Sequence, residues 1–310
     1  MHKELGIIGL GRMGGNVARR LAKAGWHVVG YNRSPDDTKA LEKEPLFKGK
    51  GIDGAYSIQE LVNKLSKPRV VLTILTAGKP TDEVLDNLVK NLEADDIIIE
   101  GANSFYEDTV RRSKKVIKQG VKFIDVGVSG GPGGALTGAC LMIGGSKQLF
   151  KYLEPLFIAM AAPKAYQHFE GVGAGHFVKM VHNGIEYGMM QSIAEGFNLL
   201  KNGPYKVNVI DAATIYQNKS VVTSRLVDWL LEGFKKFGMD LNDVSGSVGY
   251  TGEAQYTYKT GKKLGLPMKI ILGSILFRKA SQTNPSYIGK VLTTMRNGFG
   301  QHSIESGKMT

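Results

Sequence analysis

The chain has 310 residues, 42% hydrophobic and 22% charged, which is an ordinary globular balance with room for two domains. No apolar run approaches the ~20 residues that a membrane-spanning helix needs, and the first residues enter a strand pattern, so no signal peptide is expected. The formal net charge is +12, but the basic residues form no block and zinc-ligand spacing is absent, which disfavours nucleic-acid binding.

The chain has one cysteine, Cys140, so an internal disulfide is impossible. Its apolar surroundings, ACLMIGG, predict a small core residue. A single cysteine suits a reducing compartment, and a cytoplasmic protein is expected.

Strand and helix patterns alternate through the first half. Strands are predicted at residues 5–8, 27–31, 69–75, 96–99 and 122–125, and helices at residues 14–24, 58–65, 81–92 and 109–119. Near-continuous β-branched runs separated by helices are typical of a parallel sheet covered on both faces.

The first turn reads GLGRMG, with Gly9, Gly11 and Gly14 between a strand and a helix. In this context the motif predicts a dinucleotide site in a Rossmann-type fold. Gly9 would permit the tight turn, Gly11 would let a pyrophosphate approach the backbone, and Gly14 would let the helix pack on the strand.

The second strand ends in Asn32, Arg33 and Ser34, where an NAD site usually has a carboxylate for the ribose 2′-hydroxyl. All three side chains can donate to a 2′-phosphate, so NADP is favoured. If Arg33 instead stacks on the adenine or faces solvent, NAD remains usable.

The loops that leave successive parallel strands meet at one edge of the sheet. Asn103 and Ser129 therefore project toward the dinucleotide. The segment at residues 127–134 is expected to be too glycine-rich to pack, and its backbone N–H groups could hold a carboxylate. A flexible loop is the alternative.

A helix is predicted at residues 147–160, and long helical patterns dominate after a glycine-rich joint at residues 171–175. These helices are predicted at residues 176–201, 207–216, 224–237, 253–264 and 268–282. We therefore expect a doubly wound α/β domain at residues 1–171 and an all-α domain at residues 172–310, with a loose tail from residue 303.

One helical segment, GHFVKMVHNGIEY at residues 175–187, concentrates polar chemistry. At 100° per residue, five side chains share roughly 140° of one face. They are Lys179, His182, Asn183, Glu186 and Tyr187. Apolar residues such as Phe177 and Ile185 lie off this face and could pack. The stripe suits the wall of an active site, although solvated charges and a core histidine would look similar.

Together the motifs resemble 6-phosphogluconate dehydrogenase, a decarboxylating member of the β-hydroxyacid dehydrogenase superfamily, in its short bacterial form. The resemblance rests on GIIGLGRMGGNVARRL, GANSFYEDT, DVGVSGGPGGA, GAGHFVKMVHNGIEYGMMQ and MRNGFGQH. It implies that Lys179 is a general base for the substrate 3-hydroxyl. It also implies that Glu186 protonates C1 of the enediol left after CO₂ departs, with His182 and Asn183 beside them.

The resemblance also implies the binding residues. Cofactor contacts would come from Gly9, Leu10, Gly11, Arg12, Met13, Gly14, Asn32, Arg33, Ser34 and Asn103. Substrate contacts would come from Asn103, Ser129, Gly130, Gly131, His182, Asn183, Tyr187, Gln255, Arg278, Arg296 and His302. The last two would reach the partner subunit's site, so a homodimer, or a dimer of dimers, is implied.

The chain departs from the family pattern at Glu100, where Asp is usual, and at Ala102, where a second glycine is usual. It also has Gln255 in place of a basic residue, and an amide cannot neutralise a phosphate. Two alternatives stay open. One is a non-decarboxylating dehydrogenase of a short hydroxy acid; the other is a non-catalytic dinucleotide-sensing or nucleic-acid-binding protein.

Overall fold

The computed structural model describes residues 2–44, 51–249 and 252–305. The chain divides into two compact units, Met1–Lys179 and Met180–Thr310. Among the described residues, every strand lies in the first unit, and the second unit contains helices only.

The first unit is built around one eight-stranded sheet. Its strands are β1 (Glu4–Ile8), β2 (His27–Tyr31), β3 (Ile52–Ala55), β4 (Val70–Thr73), β5 (Ile97–Glu100), β6 (Lys122–Ser129), β7 (Ala139–Gly145) and β8 (Ala161–Glu170). Its helices are α1 (Arg12–Lys23), α2 (Pro35–Glu42), α3 (Ile58–Asn63), α4 (Lys79–Val89), α5 (Tyr106–Ile117), α6 (Gly131–Thr137) and α7 (Lys147–Met160). The strand order is β3-β2-β1-β4-β5-β6-β7-β8, and only the β6–β7 pair is antiparallel.

Alternate residues of each central strand enter different apolar clusters. Leu5 and Ile7 of β1 belong to one cluster, whereas Ile8 belongs to the other. In β5, Ile97 and Ile98 divide in the same way. Because successive strand side chains point to opposite faces, the sheet is buried on both sides, which confirms the predicted doubly wound arrangement.

Three expectations about local structure were wrong. The glycine-rich segment after β6 does pack: it forms α6, whose Ala135 is 1% exposed within the sheet's apolar cluster. Cys140 is the one exposed residue of β7, whereas its neighbour Leu141 lies in the sheet's apolar cluster. The tail was expected to be loose from residue 303, but the Ile304 carbonyl accepts a hydrogen bond of 2.7 Å from the Ser245 N–H. Residues 306–310, the rest of that tail, lie outside the described residues.

The helices that follow the sheet begin with α8 (Ala174–Asn202), which starts in the first unit and continues in the second. The others are α9 (Val209–Gln217), α10 (Arg225–Phe237), α11 (Glu253–Lys263), α12 (Lys269–Ala280) and α13 (Tyr287–Gly300). Sequence reasoning missed α13, although Ser286 accepts from the Gly289 N–H as an N-cap. Over the part of the chain that the structure describes, no helix is both long and apolar enough to span a bilayer.

Candidate active site

The GLGRMG turn has the shape that a pyrophosphate site needs. Gly9 has a φ of +98°, and a Cβ there would lie 2.1 Å from the Ile74 carbonyl oxygen. A Cβ on Gly14 would lie 1.8 Å from the Gly9 carbonyl oxygen, so helix and strand touch directly. A Cβ on Gly11, in contrast, would meet no other part of the described chain within 4 Å. The first turn of α1 carries no acidic residue and no side-chain cap, so its N–H groups fit an anion.

Asn32, at the end of β2, is more constrained than the sequence suggested. Its Oδ1 accepts a hydrogen bond of 3.1 Å from the Leu10 N–H. Its Nδ2 donates to Asp37 Oδ2 at 2.6 Å and to the Ser34 carbonyl oxygen at 3.4 Å. Arg33 and Ser34 are exposed. Sequence reasoning missed Asp37, although PDD at a helix start was a visible signal.

Asn103, after β5, is joined to the end of β6. It adopts a φ of +50°, donates to the Val128 carbonyl oxygen at 3.1 Å and accepts from the Val128 N–H at 2.9 Å. This pairing places Asn103 next to Ser129, so the structure brings these two predicted residues together. Gly130, with a φ of +116°, is the N-cap residue that directly precedes α6.

A buried ionic cluster underlies this loop. Glu100 is fully buried and accepts from Ser104 Oγ and, at 3.3 Å, from Arg112. Arg112 also donates to Ser104 Oγ at 2.7 Å and to Asp82 at 2.9 Å. The departure at Glu100 therefore lies in a structural support of the loop. Sequence reasoning missed Arg112, which carries no local signal.

The start of α8 is held by Asp125 of β6. The Asp125 carboxylate accepts from the Gly173 N–H at 2.6 Å and from the His176 N–H at 2.8 Å. The His176 ring is hydrogen-bonded to Thr109 Oγ1 at 2.8 Å. Burial raises the pKa of Asp125, while His176 and the two N–H donors oppose that rise.

Lys179 lies in the second turn of α8 and is 6% exposed. It packs directly on Gly127 of β6, since a Cβ on Gly127 would lie 2.4 Å from the Lys179 Cβ. Gly127 directly precedes Val128, whose backbone is hydrogen-bonded to Asn103. The Lys179 side chain therefore leaves α8 next to the strand residue that holds Asn103. In the first unit, the structure groups the nucleotide loops, Asn103, Ser129 and Lys179 at one end of the sheet.

The polar stripe of α8 continues in the second unit. Asn183 is 5% exposed, and its Oδ1 lies 2.9 Å from His182 Nδ1. Glu186 Oε2 lies 3.8 Å from the same His182 nitrogen. The expectation that the apolar side could pack was wrong for Phe177 and Ile185, which are exposed. On the polar stripe, Lys179, Asn183 and Tyr187 are buried, and the other two side chains are half-buried. Burying a polar stripe costs free energy, which favours a functional reason for it.

Two buried arginines share the second unit with this stripe. The Arg278 guanidinium lies 3.5 Å from the centroid of the Tyr187 ring, and no described residue forms a hydrogen bond with its Nε. Among the described residues, no carboxylate forms a salt bridge with Arg278 or Arg296. Burial lowers the pKa of Arg278; burial and the charge of Arg278 lower the pKa of Arg296 to about 10. An anion bound at either guanidinium would offset the cost of burying its charge.

The remaining predicted substrate residues lie in two helical regions. Gln255 is partly buried in the first turn of α11. His302 follows α13, where its ring packs edge-on against Phe299 and its carbonyl accepts from Asn297 Nδ2 at 2.8 Å. Both lie in the second unit, with Arg278 and Arg296.

Family models cover nearly all of this architecture. Residues 4–174 match the NAD-binding domain of 6-phosphogluconate dehydrogenase, and residues 175–306 match its C-terminal domain. The chain belongs to the 6-phosphogluconate dehydrogenase family. The family resemblance read from the motifs, and the predicted α/β fold with an all-α second part, are therefore confirmed.

Curated 6-phosphogluconate dehydrogenases resemble the chain over most of its length. An NAD⁺-dependent decarboxylating enzyme of Haloferax volcanii is 34% identical over 97% of this chain and 98% of the relative. An NADP⁺-dependent decarboxylating enzyme of Bacillus subtilis is 38% identical over 89% of this chain. The match spans 61% of that longer relative. The predicted class, a decarboxylating dehydrogenase that uses a nicotinamide dinucleotide, is thus confirmed.

Solved structures agree. The 6-phosphogluconate dehydrogenase of Plasmodium falciparum, studied with NADP⁺ and with 6-phosphogluconate, superposes with a TM-score of 0.83 at 28% identity. The superposition covers 91% of this chain and 62% of that one. A 3-hydroxyisobutyrate dehydrogenase of Mycobacterium tuberculosis shares the fold, with a TM-score of 0.74, but only 18% identity.

Proposed function

We propose that this member of the family oxidises and decarboxylates 6-phosphogluconate to ribulose 5-phosphate and CO₂, with NADP or NAD as hydride acceptor, in the pentose phosphate pathway. The observation that carries the proposal is the presence of two buried arginines, Arg278 and Arg296, in the unit that also carries the Asn183, Glu186 and Tyr187 part of the α8 stripe. A short unphosphorylated acid would not need them, because its single carboxylate is a smaller charge than a sugar acid's carboxylate and phosphate together.

The dinucleotide would be held by the GLGRMG turn and the N-terminus of α1, with its ribose at Asn32, Arg33 and Ser34. When bound, it supplies the nicotinamide that accepts a hydride from the substrate. The open space over Gly11 supports this assignment, since a side chain there would block the approach of a pyrophosphate.

Lys179 would act first as the general base. Its amine takes the proton of the C3 hydroxyl while hydride leaves C3, which gives a 3-keto acid. The protonated amine then hydrogen-bonds the new carbonyl oxygen. The burial of Lys179 favours this role, because a dry ammonium polarises a carbonyl more strongly than a solvated one.

Decarboxylation follows from the keto group, which lies β to the carboxylate and accepts the electron pair as CO₂ leaves. An enediol results. Glu186 would deliver a proton to C1 while the Lys179 amine takes the proton of the enediol hydroxyl, which gives the ketone. His182, whose Nδ1 lies 3.8 Å from Glu186 Oε2, would return a proton to Glu186. Asn103, Ser129, Gly130, Gly131 and Asn183 would hold the carboxylate and hydroxyls, and Tyr187 would join Gln255 and the arginines at the phosphate.

The proposal includes a homodimer, or a dimer of dimers, in which Arg296 and His302 complete the partner's site. Exposed apolar side chains on α8 support it: Ile185 is 54% exposed, Met189 44% and Leu199 70%. Such a stripe is typical of a surface that another subunit covers. We also propose a cytoplasmic location, since one cysteine suits a reducing compartment. We further propose that the boundary between the dinucleotide-binding domain and the helical domain lies at residue 171, directly after β8.

The test uses purified protein with 6-phosphogluconate and each cofactor, with reduction read from nicotinamide absorbance and CO₂ trapped separately. Lys179→Met should abolish both signals. Glu186→Gln should slow formation of ribulose 5-phosphate more than the hydride step. Lys151→Met, at an exposed position of α7, is the matched control and should behave as wild type. Faster turnover of 3-hydroxyisobutyrate than of the sugar acid would overturn the proposal.

A further inference from the structure

The first turn of α2 differs in charge from the first turn of α1, although both helices begin at the edge of the sheet where the dinucleotide is proposed to bind. The α1 turn has no acidic residue, whereas the α2 turn has Asp36 and Asp37. A helix N-terminus attracts anions through its free N–H groups and its dipole. At α2 this attraction is opposed by two carboxylates of the chain itself.

Asp37 also occupies the amide that a 2′-phosphate would need. The Leu10 N–H donates to Asn32 Oδ1, which fixes the orientation of the amide. Nδ2 has two N–H groups, and both are engaged, one with Asp37 and one with the Ser34 carbonyl. Asn32 can therefore donate to a phosphate only by giving up its 2.6 Å bond to Asp37 or its 3.4 Å bond to the Ser34 carbonyl.

A 2′-hydroxyl makes no such demand. It is uncharged, so the Asp37 carboxylate does not repel it, and it does not depend on the Asn32 amide to neutralise a charge. A 2′-phosphate at the same place meets the Asp37 charge and finds the Asn32 amide occupied. Arg33 and Ser34 can still donate hydrogen bonds to a 2′-phosphate. The Asp37 charge therefore lowers the affinity of this turn for the phosphate without abolishing it.

We propose that Asp37 is a specificity-determining residue that lowers the affinity of this chain for a 2′-phosphate and keeps NAD usable. The inference rests on the proposed function only for its kinetic readout. Removing the Asp37 charge should strengthen binding of the 2′-phosphorylated nucleotide and leave binding of the unphosphorylated nucleotide unchanged.

The experiment measures equilibrium binding of ADP-ribose and of 2′-phospho-ADP-ribose by titration calorimetry. Asp37→Asn should tighten the phosphorylated ligand about fivefold, and Asp37→Lys should tighten it further, since an exposed charge of this kind has effects of that size. ADP-ribose affinity should change by less than about twofold. The kcat/KM ratio of NADP to NAD should rise in the same order.

Asp36→Asn is the matched control, because it removes the same charge one residue away from the contact with Asn32. It should shift the 2′-phosphate affinity by less than about twofold. Equal gains from Asp36→Asn and Asp37→Asn would overturn the inference, as would no gain from Asp37→Lys. Binding needs no turnover, so a wrong substrate assignment would abolish the kinetic ratio while leaving the binding order of the variants intact.

Discussion

Lys179 of α8 and Gly127 of β6 are in such close contact that a single methyl group at residue 127 would lie 2.4 Å from the Lys179 Cβ. The absence of a side chain on Gly127 therefore sets how near the proposed base can come to the end of the sheet. Real Cβ contacts essentially never lie below 3.0 Å, so one element must move if Gly127 gains a side chain.

Gly127→Ala should lower kcat about 100-fold, the scale of loss for a catalytic group displaced by about 1 Å. Cofactor affinity should stay near wild type, because the GLGRMG turn is untouched. Steady-state kinetics with a separate nucleotide titration checks this. Gly273→Ala in α12, where a Cβ would meet no described atom within 4 Å, is the control and should keep full activity. An active Gly127→Ala variant would contradict this reading.

Asp125→Asn should loosen the first turn of α8. The carboxylate accepts from two backbone N–H groups, but an amide has one oxygen, so one buried N–H is left facing an NH₂ group. We expect a loss of about 1–3 kcal/mol in the free energy of unfolding. Faster hydrogen exchange should be confined to residues near Gly173 and His176. Asp243→Asn, at an exposed position, should change neither, and unchanged exchange at His176 would refute the account.

Arg278→Met should separate stability from binding. It removes a buried charge without a carboxylate partner, which offsets the lost contact with Tyr187, so the thermal midpoint should stay within about 4 °C of wild type. Inorganic phosphate should raise the midpoint of the wild type and not of the variant. Arg225→Met, which removes an exposed cation–π contact with Trp229, should keep the phosphate response. A phosphate response in Arg278→Met would place the anion elsewhere.

Gln255→Lys should tighten substrate binding. The amide can donate to a phosphate, but the ammonium adds a charge, and the KM for 6-phosphogluconate should fall about fivefold at low salt. The gain should shrink as salt is added, because screening weakens it. Gln59→Lys adds the same net charge on exposed α3 and should leave the KM unchanged. A KM that Gln255→Lys does not lower would remove Gln255 from the phosphate site.

His27 predicts a pH-dependent stability. Its ring nitrogens lie 3.0 Å from Glu4 Oε2 and 2.9 Å from Asp53 Oδ2. Burial opposes protonation, but these hydrogen bonds outweigh it and raise the pKa of His27. Its contribution is therefore fully present below pH about 6.5 and is lost as pH rises through the raised value. Urea unfolding should show the gap between wild type and His27→Asn shrinking over that range. A gap independent of pH would exclude the charged pair.

The nucleotide-binding half was predictable because its signals are local. The GLGRMG turn and the β-branched strands follow from the periodicities of side chains in short segments, and those do not depend on distant partners. The same holds for the helical register that put Lys179 and Glu186 on one stripe. What local pattern could not predict was α6, since its glycines are poor helix formers and packing against the core decides its state.

The site's supports were decided by tertiary structure. Asp125 and His176 are 51 residues apart, and Asp82 and Arg112 are 30 apart, so nothing in their neighbourhoods marks them as partners. The same is true of which side of α8 is buried: periodicity separates a polar from an apolar face, but only packing decides which one is covered. The sequence alone determined the chemical groups and the fold family. Packing decided their burial, their hydrogen-bond partners and hence which donors remain for a ligand, because those depend on contacts between segments far apart in the chain.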